Sequence, residues 1–220
     1  MKREAVRACI EEIGILPSVR VNTKELALFA AETVYAAGIP IVEITLTVPG
    51  ALDVVDDLAR RFPDFAVGVG TVLDEGAARR ALDAGARFLT SPGFVPEVVD
   101  YANYADVVVL AGALTPTEVI AAWKAGTDFV KIFPAAPVSG SLYIRALKIP
   151  LPQIPLIVTG GINQVTASDY VVAGATAIGV GGELLPAEAL HFRQESRIHE
   201  LARRFLTIVK EGRAIRSACY

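Results

Sequence analysis

The sequence predicts a single (β/α)8 barrel over residues 1–220. Short runs of Val, Ile and Leu alternate with Ala-rich helical stretches along the chain, a pattern typical of a parallel sheet whose two faces are covered by helices. Eight such units in 220 residues also match the size of closed barrels, roughly 200 to 250 residues. Ala-Gly turns recur before every second strand, which favours a barrel built from two-strand units.

The predicted elements follow one another without a linker. Each strand is a short apolar run, and each helix is a longer Ala-rich stretch. The strands lie near residues 13–21, 39–46, 65–70, 87–90, 106–110, 128–132, 155–159 and 175–180. The helices lie near residues 23–37, 50–62, 74–84, 95–103, 116–125, 140–148 and 163–173, with a longer last helix after Pro186.

Four predicted helices end in Ala-Gly, where glycine allows the left-handed conformation that closes a helix before a tight turn. These pairs are Ala37-Gly38, Ala84-Gly85, Ala125-Gly126 and Ala173-Gly174. An open doubly wound sheet is the alternative fold. Its first turn usually carries a Gly-rich nucleotide fingerprint, whereas the first strand here continues into Arg20–Lys24.

The composition excludes several classes of protein. Apolar residues make up 53% of the chain, and Lys plus Arg (21) nearly balance Asp plus Glu (24) without a basic block, so nucleic acid is not an expected partner. No apolar run reaches the ~18 to 20 residues of a bilayer crossing, and the charged start does not resemble a signal peptide. We therefore expect a cytoplasmic protein with no membrane partner.

Cysteine and histidine are too scarce for a disulfide framework or a metal site. Cys9 and Cys219 stand near opposite ends of the chain and lack metal-ligand spacing. The two histidines, His191 and His199, both lie in the C-terminal stretch. The sequence thus predicts no metal site, and we expect no other cofactor.

Lys131 is the first candidate catalytic residue. It stands in the strand Asp128–Pro134 among Val, Ile and two Phe, where lysine is rarely found without a partner or a purpose. Burial disfavours the charged ammonium, and the neutral amine can attack a ketone to form a Schiff base. The alternative is a lysine whose stem is buried and whose amine reaches water or an acid at the barrel mouth.

Glu43 is the second candidate. Period-two alternation places Ile41, Glu43 and Thr45 on one face of their strand. The opposite face is apolar and suits the helix layer, so Glu43 is expected to point into the barrel. There it is either a general acid/base or one half of an inert buried ion pair, for which Lys131 could be the cation.

Further polar residues end other predicted strands at the same mouth. Arg20 ends the first strand, and its planar guanidinium suits a carboxylate or phosphate. Thr71 and Thr159 end the third and seventh strands, although a lone Thr there is more often a helix cap. Glycine-rich turns after the seventh and eighth strands either bind a phosphate through backbone N–H groups, as is common in barrels, or only make tight turns. They contain Gly160, Gly161, Gly181 and Gly182.

Seven motifs cover almost the whole chain in one order: Val42–Pro49, Val67–Leu73, Ser91–Phe94, Thr115–Glu118, Val130–Ala135, Thr159–Ile162 and Gly179–Gly182. Together they resemble the bacterial 2-keto-3-deoxy-6-phosphogluconate and 4-hydroxy-2-oxoglutarate aldolases. The resemblance implies a class I aldolase that uses no metal and is typically a trimer of (β/α)8 barrels. It matches Lys131 to the Schiff-base lysine and Glu43 to the proton-shuttling glutamate. It matches Thr71, Pro92, Phe133 and Thr159 to positions that line the pyruvate pocket.

The chain departs from the family pattern where the far end of the substrate is bound. Many members carry arginine at the position of Thr47, while others combine Thr there with an arginine that ends the first strand, as Arg20 does. We therefore assign the contact with the carboxylate or polar tail to Arg20. Gly182 and Glu183 replace a serine and an apolar residue of many members, and a carboxylate there would repel a phosphate.

The expected reaction is reversible cleavage of a 2-keto-3-deoxy-4-hydroxy acid to pyruvate and an aldehyde. The substrate is phosphorylated and yields glyceraldehyde 3-phosphate, or is 4-hydroxy-2-oxoglutarate and yields glyoxylate. One alternative is another phosphate-binding barrel enzyme, such as a sugar-phosphate epimerase or a thiamin-phosphate synthase. The other is a non-catalytic barrel that binds an acidic metabolite or a partner protein.

Overall fold

Eight parallel strands close into a barrel in this computed structural model, which describes residues 1–219 without the side chain of Cys219. The strands are β1 (Ile15–Val19), β2 (Ile41–Thr45), β3 (Ala66–Gly70), β4 (Phe88–Thr90), β5 (Val108–Ala113), β6 (Phe129–Ile132), β7 (Leu156–Thr159) and β8 (Ala177–Val180). Each strand pairs with its neighbours in chain order, and β8 pairs with β1. The predicted (β/α)8 barrel is confirmed.

Helices surround the barrel and connect successive strands. They are α1 (Arg3–Ile13), α2 (Lys24–Ala36), α3 (Ala51–Arg61), α4 (Glu75–Asp83), α5 (Pro96–Tyr104), α6 (Pro116–Lys124), α7 (Ser141–Lys148), α8 (Ala167–Val172), α9 (Ala187–His191) and α10 (Glu195–Cys219). A single 3₁₀ turn, Ala136–Val138, precedes α7. In the described part of the chain, no helix has both the length and the apolar character that a bilayer crossing requires.

The four predicted Ala-Gly turns close helices as expected. Their glycines have φ values of 88° (Gly38), 96° (Gly85), 89° (Gly126) and 112° (Gly174). A side chain is strained at such angles, because its Cβ crowds the backbone. These turns precede β2, β4, β6 and β8, so they mark the two-strand repeat of the barrel.

Three of the differences from the predicted elements have a clear physical reason. The helix α1 is not predicted, because only Val6 and Ile10 in it are buried and charged residues surround them. The last helix is interrupted after His191, and Arg193 there has a φ of 50°. The strand β5 runs three residues further than the predicted end at 110, because its small residues Ala111–Ala113 pair with β6.

The helix α1 is tied to the amino end of β6 by a buried ion pair. The Asp128 carboxylate is 6% exposed and accepts hydrogen bonds from Arg3 Nε at 3.1 Å and Arg3 Nη2 at 2.9 Å. The backbone N–H of Val109 donates to the same carboxylate at 2.9 Å. The strand that carries Lys131 is therefore anchored at the end opposite the predicted site.

We expect Arg3→Met to lower the free energy of unfolding by about 2 to 4 kcal/mol, because it leaves the buried Asp128 carboxylate without its cation. Arg197→Met is the matched control, since it breaks an exposed pair with Glu188 and should cost no more than about 1 kcal/mol. Urea unfolding followed by circular dichroism measures both variants. Equal, small losses would show that α1 contributes little to the stability of the barrel.

Candidate active site

Lys131 and Glu43 meet inside the carboxyl end of the barrel. Lys131 lies on β6 and Glu43 on β2, and Lys131 Nζ is 3.3 Å from Glu43 Oε2. Glu43 is 3% exposed, and the Lys131 side chain is 12% exposed. The strand alternation correctly indicates that Glu43 points inward. The structure thus brings the two predicted catalytic residues into direct contact.

Two hydroxyl groups that the sequence analysis did not single out also hold Glu43. Ser18 on β1 donates to Glu43 Oε1 at 3.1 Å, and Thr90 on β4 donates to Glu43 Oε2 at 2.8 Å. Lys131 Nζ also donates to Thr90 Oγ1 at 3.3 Å. The signal that could have found both residues is the one used for Glu43, a polar side chain near the carboxyl end of a buried strand.

The Glu43 carboxyl group is held in its ionised form. Burial is the strongest influence and by itself raises the pKa of Glu43, because a buried charge loses its hydration. The Lys131 ammonium and the hydrogen bonds from Thr90 and Ser18 together outweigh burial and leave this pKa below its ordinary value of 4.5. The site therefore contains an ionised carboxylate that is almost completely shielded from water.

Gly70 at the end of β3 provides the space for this carboxylate. A Cβ atom at position 70 would collide with the Glu43 carboxylate. Gly68, two residues earlier on the same face, is similarly crowded by the ring of Phe88. The Val67–Gly70 motif thus leaves a smooth strand over which Glu43 extends toward β4 and β6.

A cavity of about 620 Å³ opens beside this cluster at the same end of the barrel. Ser18 lines it and links it to Glu43. Seven of the nine predicted substrate-binding residues line it, namely Arg20, Phe133, Thr159, Gly160, Gly161, Gly181 and Gly182. Polar side chains and glycine-rich turns therefore share one cavity, as expected for residues at the carboxyl ends of strands in one barrel.

Thr71 and Pro92 follow β3 and β4 at the same mouth, but the structure does not place them in the lining of this cavity. Thr71 has a φ of 65°, a strained angle for a β-branched residue. The backbone of Pro92 packs so closely on Gly112 of β5 that a Cβ at Gly112 would collide with it. Their predicted contact with substrate stays a prediction.

Arg20 and Glu183 supply opposite charges to the cavity. Both side chains are exposed and line it. Arg20 also borders two adjoining cavities of about 770 and 210 Å³. Within residues 1–219, no carboxylate lies within ion-pair distance of Arg20, so its guanidinium is available to an anionic ligand.

The fold and the site define a class of protein. A (β/α)8 barrel here holds a buried amine against an ionised carboxylate, next to a cavity that contains the guanidinium of Arg20 and two glycine-rich turns. An amine nucleophile with an adjacent proton acceptor is the arrangement that Schiff-base enzymes require. The chain thus has the architecture of a Schiff-base barrel enzyme.

Comparison with known proteins identifies the family. The family model "KDPG and KHG aldolase" matches residues 6–201. The KHG/KDPG aldolase of Escherichia coli (strain K12) is 30% identical over 189 residues, which cover 86% of this chain and 89% of that protein. The chain belongs to the KDPG and KHG aldolase family. This membership does not favour the epimerase, the thiamin-phosphate synthase or the non-catalytic alternative.

Solved structures agree with this assignment. The KDPG aldolase of Legionella pneumophila, with pyruvate captured at low pH as a covalent carbinolamine intermediate, has a TM-score of 0.83 and 30% identity over 89% of this chain and 95% of its own. The 2-keto-3-deoxy-6-phosphogluconate aldolase of Zymomonas mobilis ZM4 with 3-phosphoglycerate has a TM-score of 0.83 and 25% identity over 92% of this chain and 95% of its own.

We expect the contribution of Glu43 to stability to change with pH in opposite directions in the native protein and in Lys131→Met. In the native protein the pKa of Glu43 lies below the ordinary 4.5, so between the two values the unfolded chain binds more protons and stability rises with pH. In Lys131→Met, burial dominates and raises the pKa of Glu43 above 4.5. The folded state then binds more protons, and stability should fall as pH rises from 4.5 through the raised pKa.

Urea unfolding between pH 3 and 8 measures this dependence. The references are Glu43→Gln for the native chain and Glu43→Gln/Lys131→Met for Lys131→Met, because each differs from its partner only at Glu43. Relative to these references, Glu43 should contribute a positive slope in the native chain and a negative slope in Lys131→Met. A positive slope in both would mean that Lys131 does not govern the ionisation of Glu43.

Proposed function

We propose that the protein is a class I aldolase that reversibly cleaves a 2-keto-3-deoxy-4-hydroxy acid to pyruvate and an aldehyde, with Lys131 as the nucleophile and Glu43 as the general acid/base. The observation that carries this proposal is the 3.3 Å contact between Lys131 Nζ and Glu43 Oε2 at the barrel mouth. Lysine and glutamate at these positions also match the family motifs. The membership of the family supports the reaction, and the geometry supports the roles of the two residues.

The first half of the reaction forms the Schiff base. Lys131 Nζ donates hydrogen bonds to Glu43 and Thr90, so transfer of one proton toward the carboxylate leaves a neutral amine. The nitrogen lone pair attacks the C2 ketone and forms a carbinolamine. Glu43 then gives its proton to the carbinolamine hydroxyl group, which leaves as water, so that a protonated imine and an ionised Glu43 remain. Proton transfer within the pair adds no net charge to a site that is shielded from water, which keeps its cost low.

The second half breaks the C3–C4 bond. Glu43, acting through a water molecule, removes the proton from the C4 hydroxyl group. The electron pair of the C3–C4 bond moves to the protonated imine, so that the aldehyde leaves and a neutral enamine remains. Glu43 then returns a proton to C3, and hydrolysis of the pyruvate imine restores the free Lys131 amine.

The remaining site residues bind the substrate in this proposal. Thr71, Pro92, Phe133 and Thr159 hold the pyruvate part, and Arg20 binds a carboxylate or polar group of the tail. Gly160, Gly161, Gly181 and Gly182 offer backbone N–H groups to a distal phosphate. Arg20 and these four glycines line the same cavity as Phe133 and Thr159, which supports a substrate that extends from Lys131 toward the glycine-rich turns.

Borohydride reduction in the presence of pyruvate tests the nucleophile. The native protein should gain the mass of one pyruvic acid less one oxygen atom, and peptide mapping should place the adduct on Lys131. Lys131→Met should gain no mass and cleave no substrate. Lys148→Met is the matched control. Lys148 lies on α7, one of the helices outside the barrel, so this variant should label normally.

Absence of the adduct in the native protein would refute the Schiff-base mechanism. An adduct that persists in folded Lys131→Met would move the nucleophile to another lysine. A barrel in which Lys131 and Glu43 form only a structural ion pair would neither label nor cleave, so the same experiment separates the enzyme from the non-catalytic alternative.

The phosphorylated and unphosphorylated substrates differ in the tail that reaches Arg20 and Glu183. We expect Arg20→Met to raise KM for the phosphorylated substrate by roughly tenfold or more, because a charge-assisted hydrogen bond is lost. Glu183→Gln should lower KM for that substrate modestly, because a like charge is removed. Pyruvate release from both substrates, followed with a coupled assay, measures these changes. An unchanged KM for both substrates in Arg20→Met would contradict the assignment of the tail.

The assembly and location of the chain belong to the same proposal. We propose that residues 1–220 form one domain and that three chains assemble into a cytoplasmic homotrimer. The resemblance to the family supports the trimer, and the composition and the lack of a linker support the location and the single domain. Light scattering during gel filtration should then give a mass three times the 23.3 kDa of the chain. A mass equal to that of one chain would overturn the trimer.

A further inference from the structure

We propose that Ser18 and Thr90 are positioning residues that clamp the Glu43 carboxylate by its two oxygens and keep it able to release its proton when the Lys131 nitrogen is neutral. The proposal rests on the proposed role of Glu43 as the general acid/base. It assigns a function to two hydroxyl groups that stand in otherwise apolar strands of the barrel interior.

The two hydroxyl groups approach Glu43 from opposite sides. Ser18 lies on β1 next to Glu43 in the strand register and donates to Oε1 at 3.1 Å. Thr90 is fully buried on β4 and donates to Oε2 at 2.8 Å. Since each hydroxyl uses its only proton on a different oxygen, the pair fixes the rotation of the carboxylate about its last bond.

The contact with Thr90 crosses an entire strand. The strand β3 lies between β2 and β4, and its inward positions next to the site are Gly68 and Gly70. Because neither glycine carries a side chain, Glu43 can extend over β3 to reach Thr90. A Cβ at Gly70 would fill this path and collide with the carboxylate. The clamp therefore needs Ser18, Thr90 and the glycine of β3 together.

The chemistry shows why the clamp is needed. In the resting site the Lys131 ammonium offsets the burial of Glu43. That positive charge is absent whenever the nitrogen is neutral, which happens in the free amine, the carbinolamine and the enamine. Burial then favours the protonated carboxyl group, and the two hydroxyl donors are the contacts of Glu43 that do not depend on the charge of Lys131.

Thr90 also fixes the direction of the hydrogen bonds. Its proton points to Glu43, so its oxygen accepts from Lys131 Nζ at 3.3 Å. The amine is held beside the carboxylate by a second contact besides the ion pair. Loss of the Thr90 hydroxyl should therefore slow proton transfer by Glu43, while the amount of imine present at equilibrium changes little.

The variants Thr90→Val and Ser18→Ala test the clamp. In each, the pKa of Glu43 should rise, and the acid limb of the pH profile of kcat/KM, which reports this group in the free enzyme, should move up by about one pH unit. Exchange of the pyruvate methyl protons with deuterated water should fall roughly tenfold to a hundredfold, because it needs proton transfer to and from the enamine. The amount of pyruvate imine trapped by borohydride at saturating pyruvate should stay close to that of the native protein.

Two further variants separate positioning from stability. Thr90→Ser keeps the hydroxyl and should restore both the exchange rate and the acid limb. Thr33→Val removes a buried hydroxyl group that donates to Phe29 within α2, and it should lower stability without moving the acid limb. If Thr90→Val fails to fold, the same measurements on Ser18→Ala, at the more open side of the clamp, test the proposal.

Two results would overturn the clamp. One is an unchanged acid limb in folded Thr90→Val and Ser18→Ala. The other is an equal fall of proton exchange and imine trapping, which would mean that the hydroxyl groups serve the nucleophile rather than Glu43. Failure of the native protein to trap pyruvate would instead refute the proposed function itself, so the two failures are distinguishable.

Discussion

An ionised carboxylate inside an apolar barrel imposes the organisation of the site. Glu43 is 3% exposed, and removing a carboxylate from water costs several kcal/mol even after the protein relaxes. That cost is offset only when a cation and hydrogen-bond donors reach both oxygens in good geometry. Lys131, Ser18 and Thr90 supply these contacts from three different strands, so the relative placement of β1, β2, β4 and β6 is constrained by one side chain.

The strand β6 shows how the barrel separates stability from chemistry. At its amino end, Asp128 is buried against Arg3 of α1 and accepts a backbone N–H from β5. At its carboxyl end, Lys131 faces Glu43 beside an open cavity. A buried ion pair at the closed end holds the strand in place, whereas the pair at the open end lies beside the cavity, where the proposed reaction needs proton transfer. In such barrels the amino-terminal face usually serves stability, and the carboxyl-terminal face carries the active site.

The sequence was sufficient to locate the strands and to select Lys131 and Glu43, because both signals are local. Apolar runs mark the strands, Ala-Gly turns precede every second one, and a charged residue within such a run is conspicuous. Ser18 and Thr90 were missed because a hydroxyl in a strand is common and gains meaning only from its partners across the barrel. Those partners depend on the strand register and on the missing side chain at Gly70, which no local pattern specifies. The helix α1 was missed for a related reason, since its attachment relies on the distant Asp128.

The charges around the cavity limit how strongly it can discriminate between substrate tails. Arg20 and the glycine-rich turns attract an anion, and Glu183 repels it. Because Glu183 is exposed, water screens its charge, and two unit charges 4 Å apart in water interact by only about 1 kcal/mol. Charge-assisted hydrogen bonds, such as Arg20 can donate, are worth about 1.5 to 3 kcal/mol each. On these magnitudes the attractive contacts outweigh the repulsion, so the carboxylate of Glu183 would weaken the binding of a phosphorylated tail without preventing it.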